Sequence, residues 1–344
     1  MSSSSSPSPK PRSYTQYTQY TNWRFSREQL HKMRQDNLNA SLARLPVAPE
    51  QELTLEDQLQ LCSFYEGRLV TLSRALKYSD TVLGTAITFF RRFYLQHSIL
   101  DYSPTSLIFP CLYLALKAED QFVPMDQFVT KVKKSLKDGE AILAMEFTLS
   151  CSLGFQYAVR HPYRPLYGFF LNAQDRPVLR RIHKEAKSRI RTALLTDAPL
   201  LYSPSQIALA ALSHTIHQQG TPDLRLKYLA PLVKAHSPEG VKGGLGEILT
   251  SINALINAYT PTPREKATQC DAKRKAISTL LSPSLKSGDQ RDTSVSSAST
   301  PELTSRPKRP HPEDPEVPKG PQDVEDNPLA PSSKKQATMA THDS

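Results

Sequence analysis

A stretch of the chain that begins at Tyr102 is repeated one hundred residues later, beginning at Tyr202. Both copies open with Tyr-Ser-Pro, which is typical of a helix start. A serine hydroxyl caps free backbone N–H groups, and a proline at the first helical position loses no hydrogen bond. Apolar residues then recur at helical spacing on nearly every side of each copy. Helices of this kind lie at the centre of a bundle, so the repeat predicts an all-α fold in which one helical unit is used twice.

The two units occupy the middle of the 344 residues. The chain opens with MSSSSSPSPKPRS, and no aromatic residue follows Pro261, while Pro, Ser, Thr and charged residues dominate there. We therefore expect both ends to be disordered, because such segments bury too little apolar surface to offset the entropy of ordering the chain. The predicted organisation is a disordered start at 1–20, a helix and linker at 21–55, helical units at 56–158 and 159–259, and a disordered tail at 260–344.

A separate helix is predicted ahead of the first unit. Ser26 and Gln29 have the spacing of a capping box, in which each side chain bonds to the other residue's backbone N–H. Phe25 is placed to pack on Leu30 as a hydrophobic staple. Such a well-defined start predicts a helix that docks on a partner surface, within this chain or on another molecule.

The sequence contains no pattern that would carry catalysis. The glycine-rich stretch 240–249 lacks the Gly-Lys-Ser/Thr ending of a phosphate-binding loop, and the four cysteines form no CxxC pair. His214 and His217 share a helix face, but no HExxH motif accompanies them. The longest mostly apolar run, 107–116, is too short to span a bilayer. We expect no catalytic residue, no cofactor, no metal site and no membrane insertion.

The formal net charge of +10 permits an acidic protein or a nucleic acid as a partner. A basic stripe follows one face of the helix expected over 180–191. A solvated face is the usual meaning of such a stripe, and no aromatic residues interleave with its charges, as single-stranded nucleic acid would require. We therefore expect no specific nucleic-acid binding.

The two copies of the repeat differ where they end. The first ends in Leu-Lys-Ala-Glu-Asp at 116–120, and the second has Ile-His-Gln-Gln-Gly at 216–220. A further acid, Glu146, lies among apolar residues of the next predicted helix. Two interpretations remain open: Lys117 and Glu146 pair with each other or with backbone, or they form the polar centre of a protein interface on the first unit only.

At these residues the chain resembles the cyclin family, with one cyclin box in each predicted unit. LGTAITFFRRFYL, LYLALKAED and AMEFTLSCSLGF are similar to the first box of cyclins. The resemblance is closest to the cyclin H subfamily, through NWRFSREQLHKMR, LCSFYEGRLV, HPYRPLYGFFLN and LLTDAPLLYSPSQIALAAL. It places the lysine and glutamate with which cyclins grip their kinase at Lys117 and Glu146, and it suggests supporting contacts from Glu119, Asp120 and Phe122.

The resemblance implies a nuclear regulatory subunit that is not itself an enzyme. Its partners would be a cyclin-dependent kinase, a RING-finger assembly factor and the core of transcription factor TFIIH. Acting as the CDK-activating kinase, the complex would phosphorylate the C-terminal tail of RNA polymerase II and the activation loops of cell-cycle kinases. The first-box helix lacks the Met-Arg-Ala-Ile-Leu motif with which cell-cycle cyclins recruit substrates. The alternatives are another transcriptional cyclin, such as cyclin C, and a TFIIB-like nucleic-acid-binding repeat.

The tail carries two further patterns. Four Ser/Thr-Pro pairs are candidate sites for proline-directed kinases, at Thr260, Thr262, Ser282 and Thr300. The basic clusters 273–275 and 306–309 are candidate nuclear-import signals. A short helix over 264–281 is an alternative to disorder in the first part of this tail.

Overall fold

The computed structural model describes residues 14–47, 49, 51–171, 176–219, 229–235 and 244–281. Within these ranges the chain forms helices and no β-strand, as the sequence predicts. None of these helices has both the length and the apolar character needed to cross a lipid bilayer.

The first unit is a bundle around a central apolar helix. Its helices are α3 (Leu55–Ala75), α4 (Asp80–Phe93), α5 (Pro104–Ala118), α6 (Met125–Lys131) and α7 (Leu136–Ser152). The central helix α5 packs against α3, α4 and α7, and its residues from Leu107 to Leu116 are almost all buried. This helix is the first copy of the repeat, and its position at the centre of the bundle is the one predicted from its apolar circumference.

The second unit repeats this arrangement. It contains α8 (Tyr163–Leu171), α9 (Arg176–Leu194), α10 (Ala198–Leu201), α11 (Pro204–Gln219), α12 (Ala230–Ala235) and α13 (Leu245–Ala258). The second copy of the repeat, α11, packs against α8, α9 and α13. The residues of α11 from Ile207 to Leu212 are buried.

The chain start is ordered further towards the N-terminus than the sequence predicts. Residues 14–16 form a 3₁₀ turn, and α1 spans Thr18–Thr21. The Gln19 side chain donates to the carbonyl of Arg160 and accepts from its N–H, at 3.3 and 2.6 Å. The expectation of disorder over 1–20 is thus wrong for residues 14–20, because the Gln19 side chain bonds them to the junction between the two units; residues 1–13 lie outside the described ranges.

The helix predicted after this start is present as α2, Arg27–Leu42. Ser26 accepts a hydrogen bond from the Gln29 N–H, and the Gln29 side chain accepts one from the Ser26 N–H, so the capping box is complete. Leu30 is buried, and Phe25 packs against the same cluster.

The predicted tail begins with a packed helix, α14, which spans Arg264–Leu281 and lies against α3. Ala267, Cys270 and Ile277 are buried in the first-unit core, and Lys273 donates to Asp57 at 2.9 Å. The expectation of disorder over 260–344 is therefore wrong for 264–281, because apolar residues at helical spacing find a partner on α3. Residues 282–344 lie outside the described ranges.

Candidate functional site

The residues singled out by the repeat comparison meet on the first unit. Lys117 lies in the last turn of α5, and Glu146 lies on α7. The Lys117 ammonium donates to both carboxylate oxygens of Glu146, at 2.7 and 3.0 Å. It also lies 4.6 Å from the centre of the Tyr113 ring, a cation–π distance. Of the two interpretations left open, the pairing of these side chains with each other holds in the isolated chain.

The pair is nevertheless accessible from one side. The Lys117 side chain is 34% exposed and that of Glu146 is 12% exposed. A charge pair at this depth has already lost much of its hydration, so a partner that covers it would remove little more water from it. The geometry is therefore compatible with a role in an interface as well as with an internal role.

Exposed apolar side chains lie along α7, the helix that carries Glu146. Leu136, Leu143 and Phe147 are 69%, 44% and 68% exposed, and their spacing places them on one stripe of the helix. The opposite side of α7 is buried through Ile142 and Leu149. An exposed apolar stripe beside a half-buried charge pair is typical of a protein-binding surface. We call Lys117, Glu146, Leu143 and Phe147 the α5–α7 face.

The exposure of Leu143 and Phe147 does not follow from the local sequence, which indicates only that apolar residues lie around Glu146. The sequence of the whole helix does contain a signal for this exposure, because α7 carries apolar residues on more sides than a peripheral helix can bury.

The three proposed supporting residues do not lie together. Phe122 is 64% exposed, and Asp120 is exposed with a left-handed backbone, φ 54°. Glu119 turns away from the α5–α7 face, because its carboxylate accepts from the Thr85 hydroxyl at 2.5 Å and lies 3.7 Å from His161 Nε2. Burial disfavours the charged form of Glu119, but the bonds from His161 and Thr85 outweigh it and lower the pKa of this carboxyl. Glu119 therefore belongs to the junction between the units.

The second unit lacks the lysine that ends the repeat helix of the first. Its counterpart of Lys117 is His217, an exposed residue whose ring Nδ1 lies 2.7 Å from the Ser213 carbonyl. His214 and His217 line a groove between α11, α12 and α13. In the described part of the chain, no three His, Cys, Asp or Glu side chains are placed to hold a metal ion.

The basic stripe on α9 is partly occupied by contacts within the fold. Lys187 and Arg191 pair with Asp80 of α4, at 2.6 and 3.5 Å. Arg180, Arg181 and Lys184 are exposed. The inner part of the stripe thus holds the two units together, and its outer part faces solvent.

The candidate phosphorylation sites and nuclear-import signals lie only partly within the described residues. Thr260 is exposed and Thr262 is half-buried, in the link between α13 and α14. Ser282, Thr300 and the cluster 306–309 lie outside the described ranges. Within 273–275, Arg274 is buried and pairs with Asp271 at 2.8 Å, so the folded helix does not present this cluster as an extended import signal.

Comparison with known proteins identifies similar chains over both units. The family model of the cyclin N-terminal domain matches residues 33–158, and that of the cyclin C-terminal domain matches residues 161–260. Cyclin CCL1 of Saccharomyces cerevisiae is 33% identical over 226 residues, which are 58% of this chain and 57% of that protein. Cyclin-H of Xenopus laevis is 32% identical over 221 residues, covering 61% of this chain and 68% of that protein. The chain thus spans little more than half the length of the first of these relatives.

Two solved structures have the same fold. One is a chain of the CAK complex from Chaetomium thermophilum bound to ATP-gamma-S, with 29% identity and a TM-score of 0.65, covering 78% of this chain and 87% of that one. The other is a chain of the yeast TFIIK (Kin28/Ccl1/Tfb3) complex, with 30% identity and a TM-score of 0.57, covering 71% of this chain and 100% of that one.

Proposed function

This chain belongs to the cyclin family, and on that premise we propose that it is the regulatory subunit of a CDK-activating kinase. The observation that carries the proposal is the α5–α7 face, where the Lys117–Glu146 pair stands beside exposed apolar side chains on the first box. The similarity to chains of the CAK and TFIIK complexes supports a CDK-activating kinase as the partner.

The mechanism follows from what a protein kinase needs in order to be active. A glutamate on the kinase helix C must pair with the lysine that holds the ATP phosphates. In our proposal Leu143 and Phe147 pack against that helix, while Lys117 and Glu146 exchange part of their mutual hydrogen bonding for bonds to the kinase backbone. The cyclin thereby favours the active kinase conformation, as a shift of population. The chemistry belongs to the kinase, and this chain supplies binding energy and orientation.

The same proposal extends to the assembly. We propose a RING-finger assembly factor as a third subunit, association with the TFIIH core, and a nuclear location. The polymerase tail and the activation loops of cell-cycle kinases would be substrates of the kinase subunit. We retain Asp120 and Phe122 as contacts at the rim of the α5–α7 face, and we leave Glu119 out because its carboxylate is occupied at the junction.

Mass spectrometry of the proteins that copurify with the tagged chain from its own cells tests this function. We expect a cyclin-dependent kinase, a RING-finger factor and DNA-repair helicases. A chain with Lys117→Ala and Glu146→Ala together serves as the matched control and should lose the kinase. A different kinase with Mediator subunits would instead assign a cyclin C role, and recovery of no kinase would overturn the proposal.

A smaller proposal concerns the link between α13 and α14, where Thr260 and Thr262 precede prolines. We propose that the associated kinase phosphorylates this link, with Thr260 preferred because it is exposed. Phosphate mapping after incubation of the active complex with ATP tests it, and a phosphate-free link in a complex that phosphorylates its substrates would contradict it.

A further inference from the structure

A concentrated basic surface lies between α6 and α7. Lys131, Lys133, Lys134 and Lys137 fall within seven residues, and all four are exposed. We call them the lysine loop. The carboxylate of Asp138, the residue after Lys137, accepts from the N–H and the hydroxyl of Ser135, both at 2.8 Å, as part of the α7 cap. Its Oδ1 lies 4.0 Å from the Lys134 ammonium.

The other three lysines have no carboxylate within ion-pair distance among the described residues. Lys133 also adopts a left-handed backbone, φ 56°. Like charges held this close repel one another unless a counter-charge is present. An anionic partner would relieve that repulsion.

The lysine loop is continuous with the α5–α7 face. The Lys134 ammonium lies 5.4 Å from the centre of the Phe109 ring, as Lys117 lies 4.6 Å from the Tyr113 ring. Phe109, Tyr113 and Lys117 are four residues apart along α5, so they share one face of that helix. Leu136, within the loop, begins the exposed apolar stripe of α7. A protein seated on the α5–α7 face would therefore extend over the lysine loop.

We propose that the lysine loop binds a carboxylate-rich segment of the kinase subunit, an inference that rests on the proposed function. The occupant follows from charge complementarity and from this continuity. The loop has four lysines and no arginine, whereas bidentate recognition of a phosphate favours the planar fork of arginine. Ammonium groups on flexible stems suit carboxylates that are spread along a segment.

Charges at the edge of an interface act mainly on the rate of association, and salt screens them. The first test variant therefore carries Lys131→Glu, Lys133→Glu and Lys137→Glu; Lys134 is kept because it packs on Phe109. The matched control carries Arg180→Glu, Arg181→Glu and Lys184→Glu on the exposed part of the α9 stripe, with the same change in net charge. A Lys→Gln version of the loop variant covers the case in which the glutamates disturb folding, which thermal melting reports.

The association rate with the kinase that copurifies with the wild-type chain is measured at about 50 mM and about 500 mM salt, where screening is weak and strong. We expect the loop variant to associate at least about tenfold more slowly at low salt, with the difference largely lost at high salt, and the α9 control to match the wild type. Equal slowing by both variants, or no slowing by the loop variant, would overturn the proposal.

Phosphatase treatment of the kinase tests the chemistry of the occupant. If the loop variant still associates more slowly than the wild type with the treated kinase, the lysine loop binds carboxylates. If the difference disappears, the loop binds phosphate and the proposal of a carboxylate-rich segment is overturned. Failure of the wild-type chain to bind any kinase would overturn the proposed function itself, an outcome that is distinct from loss of the loop effect alone.

Discussion

At the scale of single residues, Lys117 and Glu146 show how one pair can satisfy two interpretations. The side chains neutralise each other in the isolated chain, yet they remain partly exposed in an apolar surrounding. A pair that is already formed pays no further cost for bringing its charges together when a partner covers it, so pre-organisation favours binding.

We expect Lys117→Ala and Glu146→Ala each to weaken kinase binding by at least about tenfold, because truncating one partner leaves the other charge uncompensated in the interface. The double variant should lose less than the sum of the two single losses, since the residues act as a pair. Isothermal titration with purified kinase measures all three. His217→Ala, the second-box counterpart, is the control, and an equal loss from it would rule out an interface confined to the first box.

Phe147 offers a residue-scale test that separates binding from stability. Its ring is 68% exposed, so Phe147→Ala should change the free energy of unfolding by no more than about 0.5 kcal/mol while weakening kinase binding markedly. Leu149, two positions further along α7, is fully buried. Leu149→Ala should instead destabilise the fold by about 2–5 kcal/mol. Urea unfolding and binding titration on both variants would contradict this assignment if Phe147→Ala unfolded as readily as Leu149→Ala.

At the scale of elements, the sequence predicts those helices whose start is marked by a motif within a few residues. The two Tyr-Ser-Pro helices and the Ser26–Gln29 capping box each carry their signal within a few residues. The start at Tyr14 carries none, because it is held by the contact of Gln19 with Arg160, which lies 141 residues away. For α14 the sequence supports a helix only as an alternative to disorder, because its apolar positions are few and need α3 to bury them.

The helix α14 packs along part of α3. Lys273 bonds to Asp57, whose side chain is 5% exposed, whereas Lys275 is 68% exposed and pairs with Asp271 within the same helix. Burial raises the pKa of Asp57, but the bonds from Lys273 and Thr54 outweigh it and leave that pKa below its usual value.

We therefore expect Lys273→Ala to lower the free energy of unfolding by about 1 kcal/mol, because a buried carboxylate loses a charged donor. Lys275→Ala should change it by less than about 0.5 kcal/mol, as is usual for exposed pairs within a helix. Thermal melting of the two variants side by side is the measurement. Equal melting temperatures would mean that the Lys273–Asp57 bond does not hold α14 on the first box.

At the scale of the whole molecule, the duplicated architecture was predictable, because it follows from apolar periodicity and a repeat spacing that are both written along the chain. The contacts that join α2 and the two boxes were not predictable from the sequence. Arg34 of α2 makes two bonds to Asp197, at 2.8 and 2.6 Å, and Arg91 of α4 bonds to the same carboxylate at 2.9 Å and to Glu66 at 2.6 Å. These partners are far apart in the sequence. No motif around Asp197 indicates that its carboxylate binds two arginines.

This cluster leads to a prediction about pH. Burial raises the pKa of Asp197, but the hydrogen bonds and charges of Arg34 and Arg91 outweigh it and bring the pKa down to about 2. A carboxyl whose pKa is lower in the folded than in the unfolded chain adds stability above its unfolded value near 3.8 and loses it as the pH falls through about 2. We expect Asp197→Asn to cost about 2 kcal/mol at neutral pH, less than a fully buried pair would, because the side chain is 31% exposed.

Urea unfolding of the wild type and Asp197→Asn at neutral pH and at several values between about 4 and 2 tests this account. The difference between the two proteins should shrink as the pH falls below about 4, because protonated Asp197 holds the arginines no better than an asparagine does. Glu140→Gln, an exposed acid on α7, is the control and should show little difference at any pH. A gap between wild type and Asp197→Asn that persisted undiminished at the lowest pH would mean that packing, and not the charge of Asp197, joins α2 and the two boxes.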